Sequence, residues 1–77
     1  MRNSYPSRET VEKLRQQYPI GCRVALVSME DIQAPPMGTT GTVMRVDDIG
    51  SIMVKWDNGS SLSVVYGADS CKIIDQE

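Results

Sequence analysis

The 77-residue sequence contains no histidine and only two cysteines, which leaves few groups for catalysis or metal binding. Histidine is the commonest general base in enzymes and the commonest metal ligand. Two cysteines without a histidine fall short of a zinc site, and the chain has no nucleophile elbow and no phosphate-binding glycine loop. The acidic pairs Glu30–Asp31 and Asp47–Asp48 are typical of solvated turns. We therefore expect a protein that is not an enzyme and needs no cofactor.

The sequence also lacks a long apolar run and an excess of basic residues. No segment approaches the roughly 20 apolar residues of a membrane-spanning helix, and the first residues lack the apolar stretch of a signal peptide. A cytoplasmic location is expected, with Cys22 and Cys71 as free thiols. The net charge of −2 disfavours nucleic acid as a partner, since phosphate neutralisation supplies most of the affinity for it. Another protein is the expected partner.

One amphipathic helix is predicted over about residues 8–17. Ser7 is a suitable N-cap, and the segment contains no glycine or proline. Val11, Leu14 and Tyr18 have the spacing of one apolar helical stripe. The proline after Tyr18 ends the helix, because the residue before a proline is disfavoured in the α region.

From residue 21 onward the hydrophobic pattern becomes that of short strands. Asn58-Gly59 between two apolar runs is the strongest short hairpin signal in the chain. A long irregular stretch with two adjacent prolines separates the first two strands, and a short 3₁₀-like link precedes the last. The five predicted strands cover residues 23–27, 41–46, 51–56, 62–66 and 71–74.

This order of elements is the layout of an SH3-like barrel, whose closure removes exposed strand edges. We therefore predict one mainly β domain over residues 1–77. It consists of a small five-stranded SH3-like barrel over about residues 21–74, preceded by one N-terminal amphipathic α-helix.

Several motifs give the chain a family resemblance; they lie at residues 7–11, 21–24, 36–43, 54–60 and 65–67. With them, the chain resembles the uncharacterised family DUF4314. Its members are small bacterial proteins, often found in genomic islands, conjugative elements and phages of Gram-positive bacteria. The resemblance covers nearly the whole chain and implies an SH3-like fold and an accessory role for a mobile element or phage. Gly38-x-x-Gly41-Thr42-Val43 has a weaker likeness to KOW-type domains of ribosomal and transcription factors.

The segment of residues 29–37 is unusually apolar for a connection between strands. Its prolines lower the entropic cost of holding a shape that is ready for binding. Two interpretations remain open: the loop caps the barrel core, or it forms one wall of a ligand groove. The candidate residues for binding a protein partner are Met29, Ile32, Pro35, Pro36, Met37, Met53, Lys55 and Tyr66.

The alternative function is that of a nucleic-acid-binding barrel of the KOW type. Such a barrel would contact phosphates through the basic residues of the helix and the strands. The candidate residues for this alternative are Arg8, Lys13, Arg15, Arg23, Arg45 and Lys55.

Overall fold

The structure, a computed structural model, describes residues 6–74 of the chain. The four strands in these residues form one antiparallel sheet in the order β3-β2-β1-β4. The prediction of a mainly β protein with one N-terminal helix is confirmed, and each strand lies within one residue of a predicted one. The elements are α1 (Arg8–Gln17), β1 (Arg23–Ser28), β2 (Thr40–Val46), β3 (Ile52–Trp56) and β4 (Ser70–Ile73).

Helix α1 occupies the predicted residues, and local contacts define both of its ends. The Ser7 hydroxyl accepts a hydrogen bond of 3.2 Å from the backbone N–H of Thr10, as an N-cap does. At the other end the N–H of Tyr18 donates to the carbonyl of Leu14 at 2.8 Å. Val11 is buried, and Leu14 and Tyr18 pack against the core, so the predicted stripe faces the sheet. This ten-residue helix is too short to cross a membrane. Among residues 6–74 there is no helix that is long and apolar enough to do so.

The core is built around Trp56, which is 1% exposed and is the largest fully buried side chain. Its indole N–H donates to the carbonyl of Leu62 at 2.9 Å. The ring lies so close to β2 that a β-carbon built at Gly41 would be 2.8 Å from Cε3 of Trp56. The other buried members of the core are Val11, Val24, Leu26, Val43, Val46, Ile52, Val54 and Val64.

The prediction of a strand over residues 62–66 is wrong, because this segment makes only one isolated bridge, between Val64 and Ile52. The chain does return along β3: the N–H of Trp56 donates to the carbonyl of Ser60, and Ile52 and Val64 exchange two hydrogen bonds of 2.9 Å. Between these points the carbonyl of Leu62 accepts from the Trp56 indole. The Trp56 side chain thus replaces a ladder bond at Leu62, the first residue of the predicted strand.

The sheet consequently has four strands where five were predicted, and it is not closed. Within residues 6–74, β1 lies in the middle between β2 and β4, while β3 and β4 stand at the two ends of the strand order. The segment after the Asn58-Gly59 turn runs beside β3 without extending the sheet as a regular strand.

A β-bulge interrupts β2 at Met44. Val43 pairs with Val54 and Arg45 pairs with Met53, so Met44 is an extra residue without a partner on β3. Strict alternation would direct Arg45 toward the core, since Val43 faces inward. Val46 is buried instead, and Met44 and Arg45 both project into solvent. Bulges commonly redirect side chains in this way.

The packing of Trp56 predicts that Gly41→Ala destabilises the fold. The new β-carbon would lie 2.7 Å from Cγ1 of Val54 and 2.9 Å from the backbone oxygen of Lys55, besides its contact with the indole. Overpacking of this kind costs about 1–3 kcal/mol. Urea unfolding followed by circular dichroism measures the change. The control Ser61→Ala alters an exposed residue and should stay within about 0.5 kcal/mol of the wild type. Equal stability of the two variants would contradict this account of Gly41.

Candidate functional site

The loop between β1 and β2 contains both anchored and exposed apolar residues. Met29 is half-buried and packs against the core, and Pro35 is buried. Ile32, in contrast, is 100% exposed, Met37 is 77% exposed, and Pro36 is also exposed. The loop therefore packs against the core through Met29, buries Pro35 and presents three other residues to solvent. We call Ile32, Pro36 and Met37 the loop surface.

Hydrogen bonds hold Ile32 on a defined turn. The Asp31 carboxylate accepts from the backbone N–H of Gln33 at 2.8 Å, and the Asp31 carbonyl accepts from the N–H of Ala34 at 2.9 Å. This is a β-turn reinforced by its own aspartate, with Ile32 at its second position. The exposed side chain thus stands on a backbone that is already restrained.

Asp69 ties this loop to the segment that carries Tyr66. One carboxylate oxygen accepts from the N–H of Glu30 at 3.0 Å, and the other accepts from the N–H of Val65 at 3.0 Å. Tyr66, 47% exposed, follows Val65 directly. The start of the 29–37 loop and the chain next to Tyr66 are therefore neighbours.

Met53 and Lys55 lie elsewhere, in a shallow groove of about 320 Å³ on the outer side of β2 and β3. They alternate with the buried residues of β3 and so project from the opposite face of the sheet. The groove is lined by Met44, Met53, Val54, Lys55, Gly59, Ser60 and Ser61. None of these residues belongs to the 29–37 loop, and Tyr66 is not among them. The structure thus divides the predicted partner-binding residues between two surfaces.

Sequence reasoning missed Met44, which lines this groove, and it missed the bulge at the same position. The available signal was the spacing of the buried valines in β2. Val43 and Val46 are three residues apart, whereas a regular strand places inward residues two apart.

Two of the six basic candidates already have carboxylate partners. Arg15 pairs with Asp48 at 2.8 Å and also donates to the carbonyl of Val46 at 3.0 Å, which holds α1 against the end of β2. Arg23 pairs with Asp57. The other four are exposed and have no carboxylate within 4.0 Å among residues 6–74; they are Arg8, Lys13, Arg45 and Lys55. The structure spreads these four over α1, β2 and β3.

The Arg23 guanidinium joins three neighbouring segments of the sheet. It contacts both carboxylate oxygens of Asp57, just after β3, and donates to Thr42 at 2.9 Å and to Thr40 at 3.2 Å on β2. The Thr40 hydroxyl also donates to Asp57 at 2.6 Å. Hydrogen bonds from Arg23, and then from Thr40, lower the pKa of Asp57 to about 2. Arg23 is thus engaged inside the molecule.

Burial lowers the reactivity of both thiols. Burial raises the pKa of Cys71 to about 11, and it also raises the pKa of Cys22. The thiolate is the reactive form, so these shifts make both cysteines less nucleophilic at neutral pH. Within residues 6–74, no three His, Cys, Asp or Glu residues are grouped closely enough to hold a metal ion.

Comparison with known proteins yields a family match alone. The family model described as "Domain of unknown function (DUF4314)" matches residues 7–74. No curated protein matches the chain, and no solved structure does. The match confirms the resemblance inferred from the sequence motifs.

The Arg23–Asp57 contact predicts a pH-dependent stability. A carboxylate whose pKa is lowered by folding stabilises the native state above its ordinary pKa of about 4, and this contribution disappears as the pH falls toward 2. The wild type should therefore melt at a higher temperature than Asp57→Asn at pH 7. The difference should shrink between about pH 4 and pH 2, which thermal melts at several pH values would show. A difference that stays constant down to pH 2 would contradict the role given to this pair.

Proposed function

The chain belongs to the family DUF4314, a domain of unknown function, and we propose that it is a non-catalytic module that binds another protein through the loop surface. The observation that carries the proposal is Ile32, which is fully exposed on a hydrogen-bonded turn. Because the backbone under Ile32 is already restrained, less conformational entropy is lost on binding, and the side chain can enter a pocket of a partner as an anchor.

The surroundings of Ile32 support the same proposal. Pro36 and Met37 add exposed apolar area on the same loop, and an unbranched methionine adapts to partners of different shape. Glu30 and Asp31 precede Ile32 and are exposed. The partner we propose therefore has an apolar pocket bordered by basic groups, since opposite charges at the rim favour encounter and orientation.

We further propose an SH3-like arrangement for the fold. The support is the order of the elements: β4, β1, β2 and β3 are followed by the returning segment beside β3, and the turn of residues 66–68 precedes β4. In SH3-like barrels, the loop between the first two strands often forms one wall of a ligand groove. The loop surface lies on this connection.

The biological setting that we propose is an accessory role in the cytoplasm of a bacterium that carries a mobile element or phage. Inhibition of a host defence protein is one such role. The support is the family to which the chain belongs, together with an acidic net charge that suits a basic protein as partner.

Nucleic-acid binding is the second candidate function, favoured by the four exposed cations that have no carboxylate partner in the described part of the chain. The net charge of −2 and the pairing of Arg15 and Arg23 favour the first candidate.

Ile32→Asp is expected to reduce partner capture at least about tenfold, as the loss of an interface anchor does. Immobilised wild type and variant are incubated with an extract of the bacterium that encodes the protein, and captured proteins are quantified by mass spectrometry. Ile49→Asp is the matched control, because Ile49 is an exposed isoleucine outside the 29–37 loop. Both substitutions alter exposed side chains, so the melting temperatures should stay close to that of the wild type. Equal capture by all three proteins would contradict the proposal.

The second candidate is tested by titration with single- and double-stranded DNA and RNA. At about 50 mM salt, where phosphate contacts are strong, we expect no saturable binding. Saturable binding that Arg45→Glu and Lys55→Glu weaken would favour the nucleic-acid function instead.

A further inference from the structure

A second groove, of about 300 Å³, lies where α1 ends beside the bulge of β2. Pro19 and Ile20 leave the helix here, and Ile20 is 77% exposed. The residues that line this groove are Arg15, Tyr18, Pro19, Ile20, Arg45 and Val46. We call it the Arg45 groove. Apolar side chains supply most of its lining, and two guanidinium groups stand beside them.

The two arginines of the Arg45 groove differ in whether their positive charge is already paired with a carboxylate. Arg15 is paired with Asp48, so its charge is already compensated. Arg45 donates from Nε to the sulfur of Met53 at 3.3 Å, and a thioether is only a weak acceptor. No carboxylate among residues 6–74 lies within 4.0 Å of the Arg45 guanidinium. The groove therefore offers an apolar surface beside one uncompensated cation.

The same chain carries a segment of complementary character. Ile32 projects fully into solvent from its turn, and the exposed Glu30 stands two residues before it. The Glu30 side chain has no hydrogen-bond or ion-pair partner among residues 6–74, while the Glu30 backbone is fixed by Asp69. An apolar anchor and a free carboxylate are thus presented together.

We propose that the Arg45 groove of one molecule binds the Ile32 turn of a second copy of this chain. Ile32 enters the apolar groove against Pro19 and Ile20, and the carboxylate of Glu30 pairs with Arg45. The inference rests on the proposed function, since it uses the loop surface, and it names the second copy as a partner of that surface.

The fold determines the geometry of this association. The 29–37 loop precedes the first residues of β2, whereas Arg45 and Val46 are its last, so a strand of seven residues, about 20 Å long, separates loop and groove. One molecule cannot fill its own groove, and the contact joins two different surfaces. Such heterologous contacts build open chains or rings. One anchor and one ion pair form a small interface, which places the association in the weak class.

Sedimentation equilibrium tests this geometry in two steps. Between about 10 µM and 1 mM, the weight-average mass of the wild type should rise past that of a dimer. Ile32→Asp removes the anchor, and Arg45→Glu reverses the charge of the groove, so each variant alone should remain a monomer. An equimolar mixture of the two should form a dimer that does not grow, because only one intact loop and one intact groove can meet in it.

Two further variants serve as controls. Ile49→Asp changes an exposed isoleucine outside both surfaces and should associate like the wild type. Glu30→Arg combined with Arg45→Glu exchanges the charges of the proposed pair and should restore association. Thermal melts verify that all variants remain folded.

The outcomes separate this inference from the proposed function. Unchanged association of Ile32→Asp or Arg45→Glu, or a mixture that stays monomeric, would overturn the inference. A wild type that is monomeric at 1 mM but captures another protein through Ile32 would also overturn it, while the proposed function would stand.

Discussion

The indole of Trp56 imposes constraints on both sides of β3. On one side its ring lies against β2 at Gly41, where a β-carbon would come within 3 Å of it. On the other side its N–H takes the carbonyl of Leu62, which a regular hairpin would have used in the ladder. A buried indole N–H left without a partner would be costly, so the returning chain is held where that carbonyl is available. One side chain thus determines the approach of β2 and the path after the hairpin turn.

The elements that the sequence predicts well are those whose signals are local. Helix α1 begins after a serine that caps it and ends before a proline, and both signals lie within a few residues of the helix. The Asn58-Gly59 turn is local in the same sense. The strand predicted over residues 62–66 failed for a reason that its own residues do not show. The carbonyl of its first residue, Leu62, is bound by a side chain six residues earlier, which is a matter of packing.

In the candidate site, too, features with a local sequence signal were predicted and features that depend on tertiary packing were not. Composition identified the 29–37 loop as unusually apolar. It could not tell which of the apolar residues are buried and which are exposed: in the structure Met29 packs against the core, whereas Ile32 is exposed. Arg23 was a phosphate-binding candidate because its charge is visible in the sequence. Its partner Asp57, thirty-four residues away, becomes visible only when the strands are aligned. The Arg45 groove was missed because it forms where the exit of α1 lies beside the bulge of β2, and this juxtaposition depends on tertiary packing.

The bulge at Met44 adds a residue to the outer face of the sheet without changing which residues of β2 are buried in the core. Val43 and Val46 point inward on either side of it, and Arg45 pairs with Met53 beyond it. A chain shorter by this one residue would return to strict alternation, with both valines still inside and the arginine still outside. It would lose Met44 from the groove that Met53 and Lys55 line. A difference of one residue in length at position 44 would therefore change this outer face of the sheet while the alternation of the core residues stays the same.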